Sequence, residues 1–213
     1  MFTFDVTQPT ELCEIMGKYG SDKGSKDITK SWHNYTTLYH HLFKDIQYHP
    51  LRIFELGIGS NDITVPSNMG SNGKPGASLF GWREYFVNSE IFGADIDKKI
   101  LFSDDRIKTF YCDQTNMNVI KNMWNEPSLK EQFDIIIEDG LHTFEANVCF
   151  FENSIHKLSK KGFYIIEDIA NVNISKFDKK INEWKIKYPN LTFKLILLKS
   201  TCNNCDNNLL VIY

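Results

Sequence analysis

At 213 residues the chain is long enough to bury one sizeable core while remaining within the usual span of a single α/β domain, so one domain over 1–213 is expected. Its net charge of -3 leaves no basic excess to hold a polyphosphate backbone, which argues against a nucleic-acid partner. No apolar run approaches the roughly 20 residues that cross a bilayer, and the opening Met1-Phe2-Thr3-Phe4-Asp5 lacks the basic-then-apolar order of a leader, so no membrane partner and a cytoplasmic location are expected.

Taken in chain order, helical spacing of apolar residues covers 9–19 and 34–46. Between them lies 20–32, dense in Lys, Asp, Ser and Gly. The His40 and His41 pair falls in an aromatic stretch with Tyr35, Tyr39 and Phe43, which reads as packing or surface. A first buried strand covers 51–56, followed by a Gly-, Asn- and Pro-rich stretch over 61–76. Loops as long as these two are uncommon in compact domains and are often lids or binding loops when ordered. A helix at 78–88, strands at 90–94 and 107–112, and a helix at 116–131 come next. Strands at 133–138 and 162–167 flank a helix at 143–159, whose aromatics follow the spacing of a core-facing stripe. After a helix at 175–188, two strands at 191–198 and 209–213 have only an Asn-rich turn between them. So short a connection requires an antiparallel pair, because a parallel return needs a crossover of a dozen or more residues. Cys202 and Cys205 sit in that turn without a second Cys/His pair nearby, and the five cysteines are expected to be reduced. The expected fold is α/β: a Rossmann-like, mostly parallel seven-stranded sheet with a C-terminal antiparallel hairpin and helices on both faces. Residues 1–50 form an N-terminal helical lid segment, and 51–213 form the core.

Chemistry concentrates at the strand ends. Phe54-Glu-Leu-Gly-Ile-Gly-Ser60 places Gly57 and Gly59 directly after the first strand, where the backbone must turn sharply and admit a ligand. A nicotinamide fingerprint would want a third glycine opening a helix, whereas Asn61 and a long loop follow, so the ligand is expected to lack a pyrophosphate. Asp95 ends the second strand with an acid suited to ribose hydroxyls, and Asp113 and Gln114 end the third with groups able to bind an adenine edge. Asp139 and Asp168 end two later strands. If those strands are neighbours, both carboxylates can reach one hard cation such as Mg²⁺. His142, three residues past Asp139, can face the same cleft as a general base toward an acceptor hydroxyl.

In this order, Glu55-x-Gly57-x-Gly59, Asp95, Asp113-Gln114 and the terminal hairpin resemble the class I S-adenosylmethionine-dependent methyltransferases. Glu138-Asp-Gly-Leu-His142 with Tyr164-Ile-Ile-Glu-Asp168 is similar, more narrowly, to the metal-dependent sugar O-methyltransferases related to the macrocin enzymes. Lys18-Tyr-Gly-Ser-Asp-Lys-Gly24 followed by His33-Asn-Tyr35 resembles an N-terminal segment of bacterial relatives of that group. Leu141 stands where that group often has Ser. The resemblance implies S-adenosylmethionine bound by Lys23, Glu55, Gly57, Gly59 and Ser78, and by Asp95, Asp113, Gln114 and Glu138. It implies His142 and Asp139 as catalytic residues, and Asp139, Asp168 and Glu167 as ligands of Mg²⁺. The acceptor it implies is a sugar or sugar-nucleotide hydroxyl, and homo-oligomerisation is left open. Rival readings are a small-molecule N-methyltransferase, a non-catalytic nucleoside-binding protein and a nicotinamide-dependent oxidoreductase.

Overall fold

Runs of buried isoleucine, phenylalanine and leucine build the centre of the sheet. In the computed structural model, which describes residues 5–213, the strands are β1 (Arg52–Leu56), β2 (Glu90–Asp95), β3 (Ser103–Asp104), β4 (Ile107–Tyr111), β5 (Phe133–Glu138), β6 (Leu158–Ile166), β7 (Phe193–Leu197) and β8 (Asn208–Ile212). Residues 1–4 of the opening segment, on which the expectation about a leader rests, lie outside the described residues. The strand order is β3-β4-β2-β1-β5-β6-β8-β7. β1 lies between β2 and β5, and the pairs β1·β2, β2·β4, β1·β5 and β5·β6 are parallel. β8 inserts antiparallel between β6 and β7, which is the C-terminal hairpin expected from its short connection. Among the described residues the sheet has eight strands where seven are expected. The extra one, β3, is a two-residue exposed edge strand antiparallel to β4, too short to carry a hydrophobic alternation.

Among the described residues, six α-helices cover the two faces: α1 (Glu11–Tyr19), α2 (Tyr35–Phe43), α3 (Ala77–Tyr85), α4 (Met117–Trp124), α5 (Phe144–Ser154) and α6 (Ile174–Lys187). Local chemistry sets their ends. The side chains of Thr10, Asn116 and Thr143 cap the N-termini of α1, α4 and α5, and Gly20 closes α1 in the left-handed conformation. The helix expected over 116–131 stops at Trp124, and a short 3-10 turn follows at Pro127–Leu129. Proline at 127 keeps Glu126 out of the helical region (φ -57°, ψ 135°). Among the described residues, no helix is long and apolar enough to cross a membrane.

The two-residue period of the strands divides the core. Ile53, Ile91, Ile135, Ile137 and Ile165 pack toward α1, α2 and α3 with Tyr35, Tyr39 and Trp82. Phe54, Phe92, Ile136, Tyr164 and Ile166 pack toward α4, α5 and α6 with Trp124, Phe150 and Trp184. The same alternation sorts the acids at the strand ends. Glu55 and Glu167 share the parity of Ile53 and Ile165 and turn toward the N-terminal helices, whereas Glu138 shares the parity of Ile136 and turns to the opposite face.

Glu138 is fully buried there, accepting from Gln114 Nε2 at 2.6 Å and Tyr164 Oη at 2.7 Å. Burial raises its pKa well above the usual carboxyl value, outweighing those hydrogen bonds. A carboxyl group raised in the folded state stabilises fully below its unfolded pKa and loses that contribution as pH rises through the folded value. Glu138→Gln, which keeps the shape without the charge, is therefore expected to gain in melting temperature relative to wild type as pH rises from about 5 to about 8. Paired thermal melts across that range check it, and a constant offset would show that Glu138 does not titrate on unfolding.

Candidate active site

The turn after β1 is fixed by close backbone approach. Gly57 has φ +83°, and a Cβ added there would lie 1.8 Å from the Asp139 carbonyl oxygen. The turn is hydrogen-bonded on both sides, with Gly57 N donating to Ala94 O and Asp139 N donating to Leu56 O, each at 2.8 Å. The Asp95 carboxylate accepts from the backbone of Ile58 and Asp97 at 2.9 Å each, so it holds the glycine turn against β2. Beside this turn lies a cavity of about 260 Å³ bordered by Gly57, Gly59, Asp95, Asp113, Gln114 and Asp139. Gln114 reaches it with both ends of its amide already engaged, accepting from Leu141 N and donating to Glu138.

A second cleft of about 550 Å³ shares Gly57, Gly59, Ser67 and Asp139 with the first as a common wall. Lys23, Glu55 and Ser78 line this cleft and not the first cavity, together with Trp32, His33, His142 and Asp168. Glu138, expected among the cofactor contacts, lines neither; strand parity turns it to the far face of the sheet.

β5 and β6 are parallel neighbours, so Asp139 and Asp168 leave the same edge of the sheet side by side. Asp139, His142 and Asp168 each offer a ligand atom within 4.8 Å of the others, the group of that kind found among the described residues. His142 Nε2 lies 3.8 Å from Asp139 Oδ1 and 3.7 Å from Asp168 Oδ2, and its buried Nδ1 has no hydrogen-bond partner. Four non-glycine residues among those described have positive φ, and two of them are His142 (+59°) and Asp168 (+54°). Such a conformation persists only where the surroundings enforce it, and here it aims both side chains at one point. Glu167, expected as a ligand, is not brought into this group: its oxygens are taken by Lys23 at 2.6 Å and by the Tyr39 hydroxyl.

Lys23 is buried among acids. Its ammonium contacts Asp139 Oδ2, Glu167 Oε2 and, at 3.3 Å, Glu55 Oε1, while Trp82 Nε1 donates to the other Glu55 oxygen at 2.6 Å. Burial by itself would lower the lysine pKa, but Asp139, Glu167 and Glu55 together raise it well above the ordinary value, so the side chain stays charged. One lysine faces four carboxylates. Burial and then the Asp139 charge push Asp168 up to about 7, and burial raises Glu167 although Lys23 opposes it. Two carboxylate oxygens with surplus negative charge around them, open to a cleft, suit a hard divalent cation that keeps water or substrate in its remaining positions, with the His142 imidazole beside it.

The tyrosines are what sequence reasoning missed. Tyr35 donates to Asp168 Oδ1 at 2.5 Å and Tyr39 donates to Glu167, although both occupy an aromatic stripe that reads as packing. The available signal was their spacing of four on a buried helix face, with two hydroxyls that need acceptors there. The Asn-rich loop between β7 and β8 also reaches the site's rim, where Asn207 meets His33 Nδ1 at 3.2 Å. Cys202 and Cys205, in the same loop, are free and exposed.

A parallel sheet with this order, a glycine turn after β1 and a cavity across the ends of β1, β2 and β4 define the Rossmann-like fold of the S-adenosylmethionine-dependent methyltransferases. Its homologues are sugar O-methyltransferases. The chain is 31% identical over 163 residues to 8-demethyl-8-(2-methoxy-alpha-L-rhamnosyl)-tetracenomycin-C 3'-O-methyltransferase of Streptomyces olivaceus, covering 76% of this chain and 38% of that one. It is 28% identical over 148 residues to demethylmacrocin O-methyltransferase of Streptomyces fradiae, covering 68% and 35%. The structure superposes on the MycE methyltransferase of the mycinamycin biosynthetic pathway, solved in complex with Mg and SAH, with a TM-score of 0.71 and 21% identity over 97% of this chain and 55% of that one. The chain thus spans about two-fifths of the length of these curated relatives. No family model matches it.

Because the Gly57 position combines a left-handed backbone with a backbone contact that cannot yield, Gly57→Ala is expected to cost more than about 2 kcal/mol of stability. Urea unfolding of the two proteins measures it; a loss under about 0.5 kcal/mol would mean that the turn relaxes freely.

Proposed function

We propose that this chain is a divalent-cation-dependent O-methyltransferase that uses S-adenosylmethionine to methylate a sugar or sugar-nucleotide hydroxyl. The observation that carries the reading is the convergence of Asp139, on the wall common to the two cavities, with His142 and Asp168, which line the larger cleft. The homologues named above act on glycosidic sugars, and MycE was solved with Mg and SAH, which supports the same pairing of cofactor and cation here.

The cavity beside the glycine turn would seat the nucleoside, with Asp95 at its ribose end, Asp113 and Gln114 at its adenine end, and Gly57 and Gly59 permitting close approach. The larger cleft would seat the acceptor, and Lys23, Glu55 and Ser78, expected among the cofactor contacts, are in its lining. Asp139 and Asp168 would hold the cation, whose Lewis acidity supplies the lowered hydroxyl pKa that an unactivated sugar alcohol lacks near neutrality. His142 would take the acceptor's proton at Nε2, the nitrogen that faces both aspartates. Glu167 stands behind them as counter-charge to Lys23. An amine acceptor would need no cation, so the dependence on metal separates the two chemistries.

Methyl transfer from labelled S-adenosylmethionine to a panel of hexose and deoxyhexose glycosides and sugar nucleotides, with and without EDTA, tests the reading. Turnover is expected to vanish with EDTA and in Asp168→Asn, and Mg²⁺ is expected to restore it only to the wild type. His142→Ala is expected to lose about 100-fold or more in kcat while S-adenosylhomocysteine affinity changes less than about threefold. Activity that survives EDTA and is indifferent to Asp168→Asn would defeat the proposal.

A further inference from the structure

We infer that Lys23 and Tyr35 set which cation the site prefers, by pinning one oxygen of each aspartate so that only the other faces the cation. This rests on the cation site proposed above. Asp139 gives Oδ2 to the Lys23 ammonium and turns Oδ1 toward His142 Nε2 at 3.8 Å. Asp168 gives Oδ1 to the Tyr35 hydroxyl at 2.5 Å and turns Oδ2 toward His142 Nε2 at 3.7 Å. Two separate donors thus split two carboxylates in the same way.

Both donors come from the N-terminal segment, and both are buried and held by other contacts. Lys23 is also tied to Glu167 and Glu55, while the Tyr35 ring stacks on His33 at 4.6 Å and lies in the core packed against α1, α2 and α3. Turning either carboxylate to present both oxygens would break its contact with a buried donor, taking from Lys23 one of its three acids and leaving the Tyr35 hydroxyl only the Asp206 carbonyl at 3.2 Å, which is costly. The left-handed backbone at Asp168 restricts that side chain further. Lys23 and Tyr35 are therefore positioning residues that enforce one oxygen per aspartate. Mg²⁺ accepts that arrangement, because it is small, demands a near-octahedral shell and fills the remainder with water or substrate. Ca²⁺ takes six to eight oxygens at longer distance and gains from bidentate carboxylates, which the pinned pair withholds.

The test is calorimetric titration of Mg²⁺ and, separately, Ca²⁺ into the full chain, as wild type, Tyr35→Phe and Tyr39→Phe, with melting temperature and S-adenosylhomocysteine binding as fold controls. Wild type is expected to prefer Mg²⁺. Tyr35→Phe keeps the ring and frees Asp168 Oδ1, so Mg²⁺ affinity is expected to fall about tenfold or more while Ca²⁺ affinity falls less than about threefold or rises. Tyr39→Phe removes an equivalent buried hydroxyl from Glu167, outside the cluster, and is expected to leave the Mg²⁺/Ca²⁺ ratio unchanged. Lys23→Gln reads the same ratio from the Asp139 side should Tyr35→Phe melt early. A wild type that binds Mg²⁺ together with a ratio unaltered in Tyr35→Phe and Lys23→Gln would overturn the pinning alone. A wild type that binds neither ion would overturn the cation site, and the pinning with it.

Discussion

Carboxylates taken out of water must be neutralised, and the organisation of this molecule's working edge follows from that constraint. Glu55, Asp139, Glu167 and Asp168 converge where β1, β5 and β6 end, and a single buried lysine faces them. An unpaired buried charge is expensive, so each acid is tied to a donor: Lys23 and Trp82 for Glu55, Lys23 for Asp139, Lys23 and Tyr39 for Glu167, and Tyr35 for Asp168. Negative charge is still left over, and it collects where His142 and the two aspartates face the cleft. A cation is the simplest completion of that arrangement.

The N-terminal fifty residues take on a definite role in this picture. The sequence suggests a segment able to close over the cofactor. In the folded chain, part of it is the wall of the larger cleft and the source of the donors that meet the aspartates, with the Lys23 side chain buried and the Thr36 backbone bonded to the Lys23 carbonyl. The Asn-rich loop between β7 and β8 braces the same wall from the other side, through Asn207 to His33 and through the Asp206 carbonyl to Tyr35. Segments 171 and 174 residues apart in these two pairs thus meet around Asp168.

Much of this was legible in the order of residues. Strands and helices follow from hydrophobic period, and the antiparallel hairpin follows from a connection too short for a crossover. Gly57 and Gly59 after a strand announce a turn with φ above zero, and both have it. Aspartates at the ends of two strands announce a shared edge, provided the strands are neighbours, as β5 and β6 are. Some features left no trace, because the pattern that would reveal them is short or shared with packing. β3 has two exposed residues, and Tyr35 and Tyr39 look like any aromatic stripe on a helix.

The sequence by itself determined which residues carry charge, where the chain turns, and the alternation that sends Glu55 and Glu167 to one face of the sheet and Glu138 to the other. Only the tertiary structure decided that Lys23 would lie within reach of three acids and that His142 would stand between two aspartates while Glu167 would not. The reason is distance along the chain. Periodicity and turn chemistry act over a few residues, whereas the contact between Lys23 and Asp139 joins residues 116 positions apart and that between Tyr35 and Asp168 residues 133 apart. Such pairings exist only after the helices have docked on the sheet.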